Sequence, residues 1–478
     1  MLFYFCKNSW FWTVKINVFE KICLFKVISC CGFIILVKSA LMFPLFDFSL
    51  KINGFPIQEA KAELAKIVAF SEEEHRIFIE NKKQEIVAFH LQNNPFYKNL
   101  CGFEKLENWH DLPVLNKKKL QKPLSERLSN GFSEKKIYVN KTSGSSGDPF
   151  IFAKDKYSHA LTWASNIYRF GWYHIDFNTS YQARFYGIPL DFLGNKKERF
   201  KDFLSNRFRF TIFDMSDSVL EGFLIQFQKK KFNYINGYTS SIVLFAKFLR
   251  QKNVVLKTIC PTLKVCMVTS EMLFEEDKLL LEQQFGIPIV NEYGASELDL
   301  IAFQNSDNEW QVNAETLFVE ILDHENKVLP YGKEGRIVIT SLFNKAHPFI
   351  RYDIGDIGIL DEKSTFQKPI LKKLIGRTND VAVLPSGKKA PGLTFYYVTK
   401  SIIEDDGNVK EFIIKQTKTN CFEVEYVSEN VLSETQIQRI ESAIALYLEP
   451  NLDFIFIRKP FLERTNRGKL KQFISLIS

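Results

Sequence analysis

The sequence lacks the signatures of a zinc-binding or disulfide-stabilised protein. Its 478 residues contain eight cysteines and seven histidines, but no CxxC pair occurs and the histidines show no ligand spacing. A structural zinc site is therefore not expected. In a chain of this length, unpaired cysteines indicate a reducing compartment, so we expect a cytoplasmic protein.

The sequence also lacks an apolar run of the ~20 residues that cross a bilayer. The run VISCCGFIILV at Val27–Val37 is about half that length and is bracketed by Lys26 and Lys38. A signal peptide is one interpretation, although no small-residue cleavage site follows. We favour another, in which translation starts at Met42 and residues 1–41 are a basic and apolar extension outside the mature protein. No stable membrane insertion is expected.

Charge is not concentrated in one part of the chain. The formal net charge is +8, from 63 basic and 55 acidic residues that are mixed along the sequence, whereas nucleic-acid binders gather basic residues into a stripe. We expect no nucleic-acid partner. A basic excess also suits a protein that handles nucleotide phosphates. The hydrophobic content of 46% and the length predict a globular protein with more than one domain.

The stretch TSGSSGD, Thr142 to Asp148, consists almost entirely of hydroxyl residues and glycine. Such a run is typical of a flexible linker. Here, however, the predicted strands Lys136–Asn140 and Phe150–Ala153 flank it, which favours a hairpin loop. Glycines let backbone N–H groups converge on an anion, and hydroxyls add donors. The lysine and following helix of a Walker loop are missing, so the sequence of this loop leaves both interpretations open.

The pattern of apolar residues predicts an α/β protein followed by a small α+β region. Asn94-Pro95 ends the first helical stretch, and Asn116 is a candidate helix N-cap before a lysine run. The predicted elements are a helical stretch at Glu59–Gln92, strands within Thr262–Glu271 and Ile287–Glu297, a helix at Glu275–Phe285, strands at Glu411–Lys415 and Phe422–Val427, and a helix at Ser433–Tyr447.

Four further stretches could contribute to a binding site, and each also has an ordinary structural interpretation as a turn, a loop or a solvated tail. In the first, Tyr293 could stack on a planar base and Glu297 could hold Mg²⁺. In the second, Asp356, expected in a tight turn, could accept two hydrogen bonds from a ribose diol. The stretches are NEYGASELDL (Asn291–Leu300), HPFIRYDIGDIGIL (His347–Leu360), LIGRTNDVAVLPSGKKAPG (Leu374–Gly392) and LERTNRGKLKQF (Leu462–Phe473).

The order of these motifs is more specific than any one of them. A hydroxyl and glycine loop, then YGxSE, RYDxGD, GRxxD and a terminal GK, resembles the motif set of the adenylate-forming superfamily. The chain is similar in particular to the phenylacetate-CoA ligase branch, with its capsular polysaccharide biosynthesis relatives, through DLPVLNKKKL, YINGYTSSIVLFAKFL and SGDPFIF. The resemblance covers roughly residues 55 to 475. It implies a large α/β domain of layered sheets and helices at 42–376 and a small α+β lid domain at 377–478.

The resemblance also implies a role for each matched position. Lys469 would bridge the substrate carboxylate and the α-phosphate, and Glu297 would coordinate Mg²⁺. Asp356 would bind the ribose hydroxyls, with Arg377 assisting at the domain junction. The remaining implied contacts to ATP are Thr142, Ser143, Gly144, Ser145, Ser146 and Gly147 around the phosphates, Ser270 and Glu271 near the adenine, and Asn291, Glu292 and Tyr293 as the wall of the adenine site.

One position departs from the superfamily pattern. The aspartate that usually follows the GR arginine by two residues is Asn379 here, followed by Asp380, so either residue could be the hinge pivot. The resemblance implies an ATP-dependent, AMP-forming acid–thiol ligase that takes a small carboxylic acid and a thiol of CoA or a carrier protein. The alternatives are acyl or aminoacyl transfer to a sugar, and an inactive nucleotide-binding partner.

Overall fold

The computed structural model describes most of the chain from Pro44 onward. The described residues are 44–142, 150–186, 199, 201–203, 205–212, 215–377, 381–387, 389–391, 409–447, 449–464 and 470–477. Several predictions concern residues outside these ranges and receive no structural description: the extension at 1–41, Ser143, Gly144, Ser145, Ser146, Gly147, Asn379, Asp380 and Lys469.

All but one of the described helices lie between Leu45 and Phe285 in the sequence. The numbered helices are α1 (Leu45–Ile52), α2 (Ile57–Val68), α3 (Glu72–Asn93), α4 (Pro95–Cys101), α5 (Leu124–Arg127), α6 (Lys156–Gly171), α7 (Asp217–Lys229), α8 (Thr239–Gln251), α9 (Leu256–Ile259), α10 (Glu275–Phe285) and α11 (Glu434–Tyr447). In the described part of the chain, no helix is long and apolar enough to span a bilayer.

Local capping explains where the longest helix begins and ends. Ser71 and Glu74 form a reciprocal capping box at the start of α3, which satisfies two backbone donors that the helix leaves open. Pro95 cannot continue α3, because it lacks a backbone N–H. Asn94 instead caps α4, accepting a hydrogen bond from the N–H of Tyr97 at 2.9 Å.

Most strands of the large region belong to two sheets, and two further strands form a separate hairpin. The strands are β1 (Leu115–Asn116), β2 (Tyr138–Lys141), β3 (Ile151–Lys154), β4 (Gln182–Phe185), β5 (Arg207–Phe210), β6 (Tyr234–Tyr238), β7 (Val265–Thr269), β8 (Ile289–Ala295), β9 (Asp299–Gln304), β10 (Trp310–Val312), β11 (Leu317–Leu322), β12 (Glu334–Ser341), β13 (Tyr352–Leu360) and β14 (Leu371–Arg377).

A seven-stranded sheet carries the YGxSE motif. Its strand order is β10-β9-β8-β7-β6-β4-β5, and the strands from β5 to β8 are parallel. Parallel strands connected by helices on the sheet faces require both faces to be buried. On one face, the phenylalanine-rich core includes Phe185, Phe210, Phe227 and Phe245; the rings of Phe210 and Phe227 stack with centroids 5.3 Å apart.

A second sheet packs beside the first and supplies the RYDxGD motif. Its order is β1-β13-β12-β11, with β14 paired to β13. The hydrophobic core between the hairpin β2–β3, strand β8 and strand β13 includes Phe150, Phe152, Tyr293 and Tyr352. This shared core holds three motifs together that are far apart in the sequence.

A small sheet follows near the carboxyl end. It has the order β19-β18-β17-β20, formed by β17 (Val409–Lys418), β18 (Cys421–Ser428), β19 (Asp453–Arg458) and β20 (Phe473–Ser475), and β15 (Val381–Val383) pairs separately with β16 (Lys389–Pro391). Helix α11 contributes Ile440 and Ile444 to its core, and Phe274 of the large region lies in the same core. The small sheet is therefore docked on the residues that follow β7.

The predicted secondary structure agrees with the structure in most elements and differs in three places. The helix Glu275–Phe285 is confirmed at both ends, and the predicted hairpin around TSGSSGD is confirmed by the pairing of β2 with β3. The stretch Glu59–Gln92 is split into α2 and α3. Asn116 ends a short strand and its side chain closes a turn, so the helix expected there is wrong. Asp356 lies within β13 and not in a tight turn.

Candidate active site

The mouth of the hydroxyl and glycine loop is closed by two hydrogen bonds between its ends. The N–H of Thr142 donates to the carbonyl of Phe150 at 2.9 Å, and the N–H of Phe150 donates to Oγ1 of Thr142 at 3.1 Å. Phe150 is buried. These contacts fix the two ends of the loop as one continuation of the β2–β3 hairpin, as expected for a ligand-binding loop on a rigid base.

Tyr293 and Asp356 meet although they come from different sheets. The hydroxyl of Tyr293 donates to Oδ2 of Asp356 at 2.6 Å, and both residues are buried. The ring of Tyr293 packs edge-on against Trp310, with centroids 5.9 Å apart. Asp356 also lies directly opposite Arg377 in the antiparallel pairing of β13 with β14. Three residues assigned to ATP from separate motifs therefore converge at one place.

Glu297 is held by a tyrosine of the RYD motif. The hydroxyl of Tyr352 donates to Oε1 of Glu297 at 3.0 Å, and both side chains are buried. Close by, Lys154 forms a buried ion pair with Asp299. Burial lowers the pKa of Lys154, and the negative charges of Glu297 and Asp155 oppose that change. The carboxylates between β8 and β9 and at the start of β9, Glu297 and Asp299, thus lie near a lysine at the end of the β2–β3 hairpin.

Glu271 links the two parts of the molecule. One carboxylate oxygen accepts the N–H of Ser240 at 2.7 Å, and the other accepts the N–H of Leu470 at 2.8 Å. Nearby, the guanidinium of Arg464 donates to Ser240 at 3.1 Å and to Glu411 at 2.6 Å. This junction places the segment beside the terminal GK motif against the end of β7.

Glu292 lies in the middle of β8, at the level where the neighbouring strand β7 ends. Its Oε1 accepts a hydrogen bond from the hydroxyl of Thr269 at 3.0 Å. Desolvation by the surrounding protein raises the pKa of Glu292 to about 7, although its side chain keeps partial solvent access, while Thr269 and Arg184 act in the opposite direction. The preceding Asn291 is half-buried, and its backbone N–H donates to Gln304 at 3.1 Å. Ser270, just after β7, is exposed and has a φ of 72°.

Two curated relatives are distantly similar to the chain, and no protein-family model matches it. Protein CapK of Staphylococcus aureus is 22% identical over 318 residues, which cover 62% of this chain and 66% of CapK. A phenylacetate-coenzyme A ligase of Aromatoleum evansii is 24% identical over 232 residues, covering 45% of this chain and 51% of the ligase. The chain therefore spans less than two thirds of the length of each of these relatives.

Solved structures match over more of the chain. The 2-hydroxyisobutyryl-CoA ligase in its postadenylation state, in complex with an acyl-AMP, covers 85% of this chain and 90% of its own, with 16% identity and a TM-score of 0.65. The chain therefore has the fold of this ligase. The same ligase in its thioesterification state, in complex with an acyl-AMP and CoA, gives a TM-score of 0.54.

The structure brings only some of the predicted site residues together. The structure joins Tyr293, Asp356 and the backbone of Arg377, and it docks Glu271 on the small sheet. It gives no direct contact between Glu297 and that group. The assignments of all these residues to ATP stay predictions.

Sequence reasoning missed several polar residues around the site. Tyr352 lies inside the RYD motif and could have been proposed as a partner for a carboxylate. Lys154, Arg184 and Glu411 lie outside the matched motifs, and Arg464 lies in the terminal stretch Leu462–Phe473 without an implied role of its own. The ion-pair partners Asp299 of Lys154 and Glu411 of Arg464 are distant in the sequence, so no local pattern could have identified these pairs.

The contacts of Glu297 are compatible with binding of Mg²⁺. Its Oε1 is oriented by Tyr352, and its Oε2 accepts no hydrogen bond from the described protein. No cluster of three or more metal-binding side chains occurs within the described ranges. Mg²⁺ is usually bound by one or two carboxylates together with substrate phosphates, so a single oriented carboxylate is compatible with that chemistry.

Proposed function

We propose that the protein is an ATP-dependent, AMP-forming acid–thiol ligase. In the first step, a carboxylate oxygen of the substrate attacks the α-phosphorus of ATP, and the bond to the leaving pyrophosphate breaks. In the second step, a thiolate attacks the acyl carbon of the acyl-AMP, and AMP leaves. The thiol would belong to CoA or to a carrier protein.

The observation that carries this proposal is the hydrogen bond from the N–H of Leu470 to Glu271. Leu470 directly follows Lys469 in the sequence. Glu271 is the second residue after β7 and is one of the two residues proposed to lie near the adenine. Leu470, the residue that follows the terminal GK motif, is therefore held next to the end of β7. A solvated carboxyl-terminal tail would have no reason to make such a contact.

The roles of the individual residues are part of the proposal. The loop from Thr142 to Gly147 would surround the β- and γ-phosphates, and Asn291, Glu292 and Tyr293 would form the adenine wall with Ser270 and Glu271 nearby. The hydrogen bond between Tyr293 and Asp356 supports this arrangement, because it orients the carboxylate proposed to bind the ribose diol. Arg377, on the strand opposite Asp356, would assist there.

Charge explains why the reaction would need Lys469 and Glu297. The attacking carboxylate and the α-phosphate are both anionic, and two unit charges 4 Å apart repel by about 4 kcal/mol at an effective dielectric constant of 20. Lys469 would hold the two anions together in the transition state. Glu297, oriented by Tyr352, would hold Mg²⁺, which supplies further counter-charge for the phosphates when bound.

We further infer that the described arrangement of the small sheet is the one used for adenylation. The contact of Leu470 with Glu271 supports this inference, and the larger TM-score with the postadenylation state than with the thioesterification state is in keeping with it.

The end of β14 at Arg377 supports a division into domains 42–376 and 377–478. The described cysteines, Cys101, Cys260, Cys266 and Cys421, are free thiols, which supports a cytoplasmic location.

The test is the exchange of labelled pyrophosphate into ATP in the presence of a panel of carboxylic acids. We expect Lys469→Ala to lose ~10²-fold or more of the exchange rate, because it removes positive charge where negative charge develops. Lys471→Ala, two residues further along, is the matched control and should retain the wild-type rate. Glu297→Gln should weaken the dependence of the rate on Mg²⁺. Normal exchange by Lys469→Ala would show that this lysine is not catalytic.

The acceptor is identified by a second experiment on the same acyl-AMP. Adding CoA, a phosphopantetheine-bearing carrier protein or an amino-sugar should release AMP with only the true acceptor, and release with the amino-sugar alone would replace the thioester proposal by transfer to a sugar. Binding of ATP measured by calorimetry, without pyrophosphate exchange with any acid, would favour an inactive nucleotide-binding partner.

A further inference from the structure

Polar side chains share one face of the seven-stranded sheet at the carboxyl ends of its parallel strands. In the register of the sheet, Arg184 lies opposite Asn236, and Tyr238 lies opposite Thr269, which in turn lies opposite Glu292. Residues two apart along a strand project from the same face, so the row of Arg184 and the row of Glu292 share a face. Ligands of open α/β sheets bind beyond these strand ends.

Arg184 has unused hydrogen-bonding capacity. Its guanidinium lies over the ring of Tyr186, with Cζ 4.3 Å from the ring centroid, and this stacking fixes the plane of the group. Its Nε is enclosed and has no hydrogen-bond partner. Within the part of the chain that the structure describes, the guanidinium forms no ion pair or hydrogen bond, and Glu292 is not within ion-pair distance.

The neighbouring arginines of the same face are used differently. Arg207 and Arg209 lie on β5, the strand next to Arg184, and both donate to Oδ1 of Asp202, at 2.5 and 3.0 Å. The fold thus supplies an anion to the arginines that serve its own packing. Arg184 is half-buried, lies one strand closer to Thr269 and Glu292, and forms no ion pair within the described residues.

We infer that the acid activated by this site carries a second carboxylate, and that Arg184 binds it. This inference rests on the proposed function, because the first carboxylate is the one that reacts with ATP. Along the direction of the parallel strands, the row of Arg184 comes two residues before the row of Thr269 and Glu292. Two residues of a strand correspond to about 7 Å. A dicarboxylic acid would point its reacting end toward the strand ends and its other end toward the guanidinium, whose fork matches a carboxylate.

An ammonium-bearing acid bound by Glu292 is the competing occupant, and the contacts favour it less. Glu292 already accepts a hydrogen bond from Thr269, and a carboxyl group with a pKa of about 7 is partly neutral at physiological pH and needs no cation. An arginine remains charged throughout this range.

The experiment measures pyrophosphate exchange with matched sets of acids that differ only at the far end. The first set is pentanoate, glutarate and 5-aminopentanoate. The second is hexanoate, adipate and 6-aminohexanoate. The third is phenylacetate and 4-carboxyphenylacetate. We expect the wild type to prefer a dicarboxylate over its monocarboxylate partner by at least about tenfold in kcat/KM, as a charge-assisted hydrogen bond would produce.

Variants at Arg184 separate recognition from folding. Arg184→Met should abolish the preference for the dicarboxylate while leaving ATP affinity and the melting temperature close to those of the wild type. Arg184→Lys should keep part of the preference, since it keeps the charge but not the fork. Arg207→Met is the matched control, because it removes a half-buried guanidinium of the same face that is already paired; it should keep the preference even if it lowers stability.

The outcomes distinguish this inference from the function on which it rests. Exchange that is as fast with monocarboxylates or amino acids, or a dicarboxylate preference that survives Arg184→Met, would overturn the inference and leave the ligase proposal standing. An absence of exchange with every acid, in protein that binds ATP, would overturn both. A preference lost equally in Arg207→Met would reduce Arg184 to one member of a general charge cluster and so overturn its assignment as the binding residue.

Discussion

Replacing Glu292 by glutamine should make the protein more stable at alkaline pH. Desolvation raises the pKa of Glu292 from 4.5 to about 7, against the opposing effects of Thr269 and Arg184. Because the folded state favours the neutral carboxyl group, its contribution to stability is fully present below pH 4.5. That contribution is lost as the pH rises through 7, and it changes little above that. Glutamine is neutral throughout and does not lose it.

The magnitude follows from the size of the change in pKa. A rise of about 2.5 corresponds to ~3.4 kcal/mol between the two limits of pH, of which roughly three quarters falls between pH 5 and 8.5. Glu292 keeps partial contact with solvent, and water screens part of this cost. We therefore expect the stability difference between the Glu292→Gln variant and the wild type to change by about 1–2 kcal/mol over this interval, or about 1–2 °C in Tm for a chain of this length.

The assay is thermal unfolding of both proteins at pH 5, 7 and 8.5 in the same buffer system and at the same ionic strength. Any constant effect of the substitution cancels when the difference in Tm is compared across pH. Glu334→Gln, at the exposed start of β12, is the control and should show no pH-dependent difference. If the difference for Glu292→Gln is the same at pH 5 and 8.5, or grows toward low pH, the carboxyl group is not held neutral by the fold.

Three further substitutions test other contacts of the structure. Tyr293→Phe removes the hydroxyl that orients Asp356 and should weaken ATP binding by about 5- to 10-fold, one hydrogen bond's worth; calorimetry giving unchanged affinity would refute that role. Arg464→Met leaves the carboxylate of Glu411 buried without its cation, at a cost of about 1–3 kcal/mol, and should speed hydrogen exchange in the small sheet; unchanged exchange would mean that docking does not depend on this ion pair. At Gly237, a Cβ would lie 2.5 Å from the backbone oxygen of the adjacent strand, so Gly237→Ala should lower Tm, with a destabilisation of about 1–3 kcal/mol; an unchanged Tm would show that the strands can separate.

Local patterns were sufficient to predict the elements whose signals lie within a few residues. The helix Glu275–Phe285 has three acidic residues in its first turn, and Gly286, in the left-handed conformation, ends it; both are visible in the sequence. The hairpin around TSGSSGD was likewise predictable, because two short apolar strands flank a run that favours turns. In contrast, Asn116 is a good helix cap by type, but the parallel pairing of Leu115–Asn116 with β13 outweighs that preference.

The site could be predicted only as a set of separate motifs. Their order identified Tyr293 and Asp356, but the hydrogen bond between them joins residues 63 positions apart and depends on how two sheets pack. Arg184 has no motif around it; its significance follows from its place in the sheet register and from the pairing of Arg207 and Arg209 with Asp202. Such relations belong to tertiary structure, and no window of sequence contains them.

The last strand of the small sheet has a practical consequence for engineering the chain. Phe473–Ser475 pairs in parallel with Ile414–Gln416 and shields part of the outer side of β17, whose other side is occupied by β18. Truncation before Phe473 would leave the backbone groups of Ile414–Gln416 unpaired on that edge of β17, and an unpaired strand edge is a template for intermolecular pairing. Shortened versions should therefore precipitate or self-associate, and affinity tags are better placed at the opposite terminus.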